Sequence, residues 1–222
     1  MISEEALDEF ASKYLKKESI VAIGSDELWE KLLKKIALKS HEQELGLKIV
    51  PTSSRIATLC SSLKLEIASI NEHEVDTAFE FASIVDKNYN FVKRNSNSLV
   101  RDKMIAQSAE ELIIIAEEKS FVEKISGVIP FEISTFGWQR TLLQLQKLGK
   151  AKLREKNSHP FRTETGHYLA DVECDEIYSL EDLEFQAKTI AGVLETGLFM
   201  EYADRIILHN DRIEVKSRIQ KP

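Results

Sequence analysis

Residues 20–29 read IVAIGSDELW: a short apolar run rich in β-branched residues (Ile20, Val21, Ala22, Ile23), a single glycine (Gly24), then Ser25, Asp26 and Glu27 ahead of a helical pattern. This order predicts a strand that turns through Gly24 into a helix. A helix begun in this way presents unpaired N–H groups and its positive dipole end, the place where many α/β enzymes hold a phosphate. Here the first helical positions carry carboxylates. Two readings therefore stand: a phosphate turn, or a helix capped by Ser25 whose positive end Asp26 and Glu27 complement without a ligand.

The alternation continues outward. Residues 4–16 place Ala6, Leu7, Phe10, Ala11 and Tyr14 at helical spacing, and 26–38 place Leu28, Leu32, Leu33 and Ile36 on one stripe. KIVPTS (48–53), the helix SSRIATLCSSL (53–63), LEIAS (65–69), TAFEFASIV (77–85), a helix over 98–111 and the strand LIIIAE (112–117) follow, with KSHEQELG (39–46) as a polar connection. Strands that alternate with helices and lack clean period-two polarity predict a mostly parallel sheet flanked by helices. From Ile129 the pattern changes. PFEIS, GWQRTLLQLQKLG, AKLRE, HYLADVEC, SLEDLEFQAKTI and VLETGLF predict two helices on one face of an antiparallel sheet. ADRIILHNDRIEV then reads as a hairpin around His209-Asn210-Asp211 that could rejoin the first sheet. The expected domains are 1–127 plus 203–222, an α/β unit carrying the active site, and 128–202, a smaller α+β unit.

A formal charge of −7 argues against a nucleic-acid surface, which needs clustered Lys and Arg. No apolar run approaches the ~20 residues that span a bilayer, so no membrane association is expected. The acidic start MISEEALDEF lacks the basic and apolar segments of a signal peptide, and the expected location is cytoplasmic. Cys60 and Cys174 are too few for a thiolate cluster, and His41, His73, His159, His167 and His209 show no helical ligand spacing. No metal site is expected. Ser53 and Ser54 have no evident His and Asp partners for nucleophilic catalysis.

Several stretches carry a resemblance. PFEISTFGWQRTLLQLQKLGKAKLR (130–154), TETGHYLADVECDEIYSLEDLE (163–184) and IAGVLETGLFMEYADRIIL (190–208) resemble the type A ribose-5-phosphate isomerases, with their P-V-E-V-x-P-F-G-W, T-D-N-G-N-x-I-L-D and I-P-G-V-V-E-x-G-L-F motifs. VPTSSRIATL (50–59) and SLVRDKMIA (98–106) extend the match into the first half. The resemblance implies a fold of the ribose-5-phosphate isomerase and CoA-transferase-like kind. It also implies interconversion of D-ribose 5-phosphate and D-ribulose 5-phosphate through an enediol, no cofactor, a sugar phosphate as ligand, and a homodimer or homotetramer.

Laid on this chain, the family's G-T-G-S-T turn falls on Gly24-Ser25-Asp26-Glu27-Leu28 and its D-G-A-D-E loop on Glu80-Phe81-Ala82-Ser83-Ile84. Its K-G-G-G-G/A-A-L-x-R-E-K falls on Lys93 through Lys103, and two phosphate-contacting lysines fall on Glu4 and Ser120. The resemblance thus implies Asp102 as base, Lys93 as oxyanion stabiliser and Glu80 in ring opening, as catalytic residues. Gly24, Ser25, Ser83, Arg94, Asn95, Ser96 and Lys119 become substrate-binding candidates. Asp102 is one methylene shorter than the family Glu, a loss of reach of roughly 1.5 Å. Read without the family, Asp102 is equally an exposed helical acid paired with Arg101 or Lys103, Glu80 one face of a strand, and His167 a turn-edge residue. The altered turn and glycine loop also keep open a catalytically inactive relative that serves as subunit partner or regulator, or a binder of a non-phosphorylated ligand.

Overall fold

The computed structural model describes residues 8–9, 12–24, 29–174, 176–210 and 213–218. Ile20–Ile23 forms a strand lying between Lys48–Pro51 and Val75–Phe81 and parallel to both. Among the described residues this sheet has seven strands, in the order 213–217, 205–209, 109–117, 75–81, 20–23, 48–51, 66–67. Every neighbouring pair is parallel except the final hairpin, in which 205–209 pairs antiparallel with 213–217. The hairpin rejoins the first sheet through 109–117. Val21, Ile23, Phe79, Ile113 and Ile207 pack into one apolar core with Trp29, Leu32, Leu33 and Ile36 of helix α1 (Trp29–Glu42) and Ile56 and Cys60 of helix α2 (Ser54–Ser62). Ala22, Ala78 and Ile114 are buried as well, so strands that read as continuous apolar runs are enclosed on both faces.

Helix α1 runs four residues further than its stripe predicted, into the segment read as a connection. Ala37 and Ser40 remain buried and continue the apolar face one more turn. Helix α3 (Leu99–Ser108) instead stops early, because Ala109 already pairs with Val75 at the start of the strand Ala109–Glu117. Chain order in the sheet reverses beside Ile20–Ile23: later strands lie to one side through 48–51 and to the other through 75–81. The carboxyl ends of 20–23 and 75–81 thus flank the switch point at which open α/β sheets place their ligands.

The chain divides into two units, residues 1–81, 104–121 and 202–222, and residues 82–103 and 122–201. The second begins earlier than expected and takes in 82–103, with Lys93 and Asp102. The cause is long-range pairing: Ile84–Asp86 pairs with Phe91–Val92, which pairs with Leu198–Phe199. This unit also holds an antiparallel sheet in the order 150–153, 168–174, 127–133, 193–196. Ile129, Phe131, Ile133, Ala170 and Val172 pack with Leu145 of helix α4 (Trp138–Leu145) and with Leu183 and Ala187 of helix α5 (Leu180–Lys188). Alternation along the strand Gly127–Ile133 turns Glu132 to the opposite face.

Candidate active site

Lys93 follows the strand Phe91–Val92 and is fixed first through its backbone. Its N–H donates to Gly197 O at 3.0 Å, and the Gly197 N–H donates to Pro130 O at 2.7 Å. A Cβ at Gly197 would stand 2.5 Å from Pro130 Cγ and 3.1 Å from the Lys93 carbonyl oxygen. Only glycine lets this strand pass so close, which gives the GLF motif a physical purpose. The Lys93 ammonium lies 2.7 Å from Asp102 Oδ2, with the two side chains 1% and 2% exposed. Charges buried to this degree are retained only when paired and hydrogen-bonded.

The loop between the two residues supplies the second partner. Ser96 Oγ donates to the same Asp102 oxygen at 2.6 Å and accepts the Ser98 N–H at 3.0 Å. An O–H···O contact this short is typical of a hydroxyl bonded to an ionised acceptor. Asp102 lies in the first turn of α3 and donates its own N–H to Ser98 O at 3.1 Å. A carboxylate there also complements the helix dipole. Asp102 is therefore not the exposed acid that its neighbours allowed. Arg101 turns to Glu164, donating to its carbonyl oxygen at 3.2 Å, while Lys103 lies 3.3 Å from both Glu184 and Glu195 and donates to Leu198 O at 2.6 Å.

A second carboxylate holds this corner together. Glu132 is fully buried, and its Oε2 accepts the Val100 N–H at 3.0 Å and Ser98 Oγ at 3.1 Å. Its Oε1 accepts Thr163 Oγ1 at 2.8 Å and Thr165 Oγ1, and lies 3.0 Å from His167 Nδ1. Against an ionised carboxylate that ring nitrogen carries the hydrogen. Burial pushes the Glu132 carboxyl up, but bonds from Thr165, Val100, Thr163 and His167 outweigh it and hold the group below the usual carboxylate range. Glu132 thus clamps the N-terminus of α3, the helix that carries Asp102. His167, read as a turn-edge residue, belongs to this clamp. The sequence signal for it was a lone carboxylate between Phe131 and Ile133 in an apolar strand, together with the hydroxyls of TETGH.

In the other unit, Gly24 follows the strand Ile20–Ile23 and donates its N–H to Phe79 O at 2.7 Å. Glu80 lies on the strand Val75–Phe81, as the strand reading of this segment expects, and is fully buried there. A Cβ on Gly24 would overlap the Glu80 carboxylate, so the glycine is needed for this close approach at the switch point. Ser25 to Leu28 and Glu4 lie outside the described residues.

The remaining candidates are spread more widely. Ser83 Oγ accepts the Arg94 N–H at 3.0 Å, and the Arg94 guanidinium donates to Val128 O and Ser126 O, both at 2.9 Å. Burial lowers the Arg94 pKa, and these carbonyls tie its side chain to the strand. Asn95 is exposed at the loop tip. Lys119, in the first unit, is 82% exposed and pairs with Glu117. The structure therefore gathers Lys93, Ser96 and Asp102 into one cluster, Gly24 and Glu80 into another, and leaves Asn95 and Lys119 at the surface.

Residues 48–212 match the model of the family described as ribose 5-phosphate isomerase A (phosphoriboisomerase A). The chain is 30% identical over 204 residues to the ribose-5-phosphate isomerase A of Bacillus mycoides, covering 90% of this chain and 92% of that protein. It is 30% identical over 217 residues to ribose-5-phosphate isomerase A 1 of Oceanobacillus iheyensis, covering 96% and 97%. Among solved structures, a D-ribose-5-phosphate isomerase in complex with phospho-erythronic acid superposes with a TM-score of 0.88 at 25% identity, over 96% of both chains. The ribose 5-phosphate isomerase A of Methanocaldococcus jannaschii shares the fold with the same TM-score, 0.88, at 21% identity, over 97% of this chain and 100% of that one. The matches span both units and include the segments that hold Lys93, Asp102 and Glu132, and the chain belongs to the ribose 5-phosphate isomerase A family.

Proposed function

We propose that this chain interconverts D-ribose 5-phosphate and D-ribulose 5-phosphate by proton transfer through an enediol. The observation that carries the reading is the buried Lys93–Asp102 pair, at 2.7 Å. On the open-chain aldose, the Asp102 carboxylate takes the proton from C2. The C–H electron pair forms the C1–C2 double bond, and the charge gathered on O1 is stabilised by the Lys93 ammonium. Return of that proton from Asp102 to C1, with transfer of the O2 proton to O1, completes the ketose. The steps balance without an oxidant, a metal or an organic cofactor. That a related isomerase takes up phospho-erythronic acid, an acid phosphate, supports a sugar phosphate as ligand. Ring opening falls to Glu80 and phosphate contact to the Gly24 turn. We assign the protein to the cytoplasm, as a homodimer or homotetramer.

A coupled turnover assay on ribose 5-phosphate, with the exchange of the C2 proton followed in deuterated water, tests the reading. Sustained turnover with C2 exchange is expected. Folded protein at high concentration that neither turns over nor exchanges defeats it. Co-purification with an active isomerase would then favour a subunit partner, and thermal stabilisation by neutral sugars alone would favour a non-phosphorylated ligand.

A further inference from the structure

Two positions in the cluster depart together from the family motif. The base position holds Asp102, one methylene short, and the third position of the family's glycine run holds Ser96. The structure joins them: Ser96 is 3% exposed, and its hydroxyl bonds Asp102 Oδ2 at 2.6 Å. Its donor direction is fixed as well. A hydroxyl has one hydrogen and two acceptor sites, and the Ser98 N–H occupies an acceptor site at 3.0 Å. The hydrogen is thereby committed to the carboxylate. Among the described residues, the hydrogen bonds of the Asp102 side chain all end on Oδ2, from Lys93 at 2.7 Å and Ser96 at 2.6 Å.

We infer that Ser96 is a positioning residue for the base, a co-adaptation to the shorter carboxylate: it fills the space that a glycine loop would leave and turns Asp102 Oδ1 toward the substrate. The inference rests on the isomerase reading above. Volume supports the pairing, since glycine to serine adds two heavy atoms where glutamate to aspartate removes one. A carboxylate extended by a methylene would run into Ser96 Oγ, while an aspartate facing a bare glycine would lose one of its two anchors.

The test is a cycle of variants, each checked for folding by circular dichroism and thermal melting and then assayed on ribose 5-phosphate. Ser96→Ala removes the hydroxyl but keeps the Cβ. It should lower kcat by about ten- to a hundredfold while KM stays within about threefold, as expected when a reacting group is misplaced. The sign of the effect should reverse with the longer base: Ser96→Gly slows the natural enzyme but speeds Asp102→Glu. Ser96→Ala within threefold of the natural kcat, a loss carried by KM, or a Ser96→Gly effect of equal size and sign in both backgrounds overturns the role of Ser96 and leaves the isomerase reading intact. No turnover by the folded natural chain overturns the isomerase reading and the role of Ser96 with it.

Discussion

Replacing Glu132 should separate its role as an acceptor from its role as a space-filler. In Glu132→Gln an amide oxygen at the Oε2 position can still accept from Val100 N and Ser98 Oγ. The amide NH2 then faces Thr163, Thr165 and His167. Those hydroxyls can rotate to accept, and the imidazole can switch tautomer, so the loss is mainly charge assistance, about 1–2 kcal/mol. In Glu132→Ala the Val100 N–H and the hydroxyls of Ser98 and Thr163, 1% and 5% exposed, lose the carboxylate that accepts from them. The sum is about 3–5 kcal/mol, equivalent to a fall in Tm of roughly 6–20 °C for a chain of this size. Acidity provides a second check. The folded carboxyl lies below its ordinary value of 4.5, so its contribution is complete above that pH and fades as pH falls through the folded value. The stability gap between the natural chain and Glu132→Gln should therefore be constant near neutrality and shrink below about pH 4.5. Urea unfolding at pH 7, 5 and 3.5 measures both effects. Equal losses for Gln and Ala, or an Ala variant within 1 kcal/mol of the natural chain, would refute the clamp.

Asp102→Asn should lower kcat by about a hundredfold to ten-thousandfold, and leaving the Lys93 ammonium buried without its anion should cost about 3–5 kcal/mol in urea unfolding. Adding Lys93→Met should recover part of that stability and none of the activity. A single variant with kcat within tenfold of the natural chain removes Asp102 from the chemistry. Gly24→Ala drives a methyl group into the Glu80 carboxylate and should destabilise by about 1–3 kcal/mol, read from the shift in urea midpoint. Glu80→Gln should leave stability closer to natural but slow turnover on ring-closed substrate, with exchange on an open-chain analogue spared. Burial raises the Cys60 thiol to about 11, so it should resist alkylation at pH 7.4 in the folded protein and react once urea unfolds it.

Much of the architecture was legible locally. The run Ile20–Ile23 ending at Gly24, and the alternation of strands and helices after it, already predicted a parallel sheet, because side-chain periodicity is a property of neighbouring residues. The change of texture after Ile129 likewise predicted the antiparallel sheet with its two helices. Local pattern could not say where the units divide. Residues 82–103 look like another strand–helix repeat, and only the pairing of Phe91–Val92 with Leu198–Phe199 assigns them to the second unit.

The site divides in the same way. Motif spacing singled out Lys93, Asp102 and Glu80, since each falls on a charged position of a family motif. It also allowed Asp102 to be a solvated helix acid, because a sequence does not state burial. Glu132, His167 and the hydroxyls of Thr163 and Thr165 come from strands and turns 32 residues or more beyond Val100, so no local pattern marks them as the N-terminal clamp of α3. The sequence alone determined the family, the alternating architecture and the charge-bearing candidates. Tertiary structure decided which carboxylates are buried, which donors saturate them, and that Ser96 bonds to Asp102, because desolvation and hydrogen-bond partnership depend on chain segments that meet only once the molecule has folded.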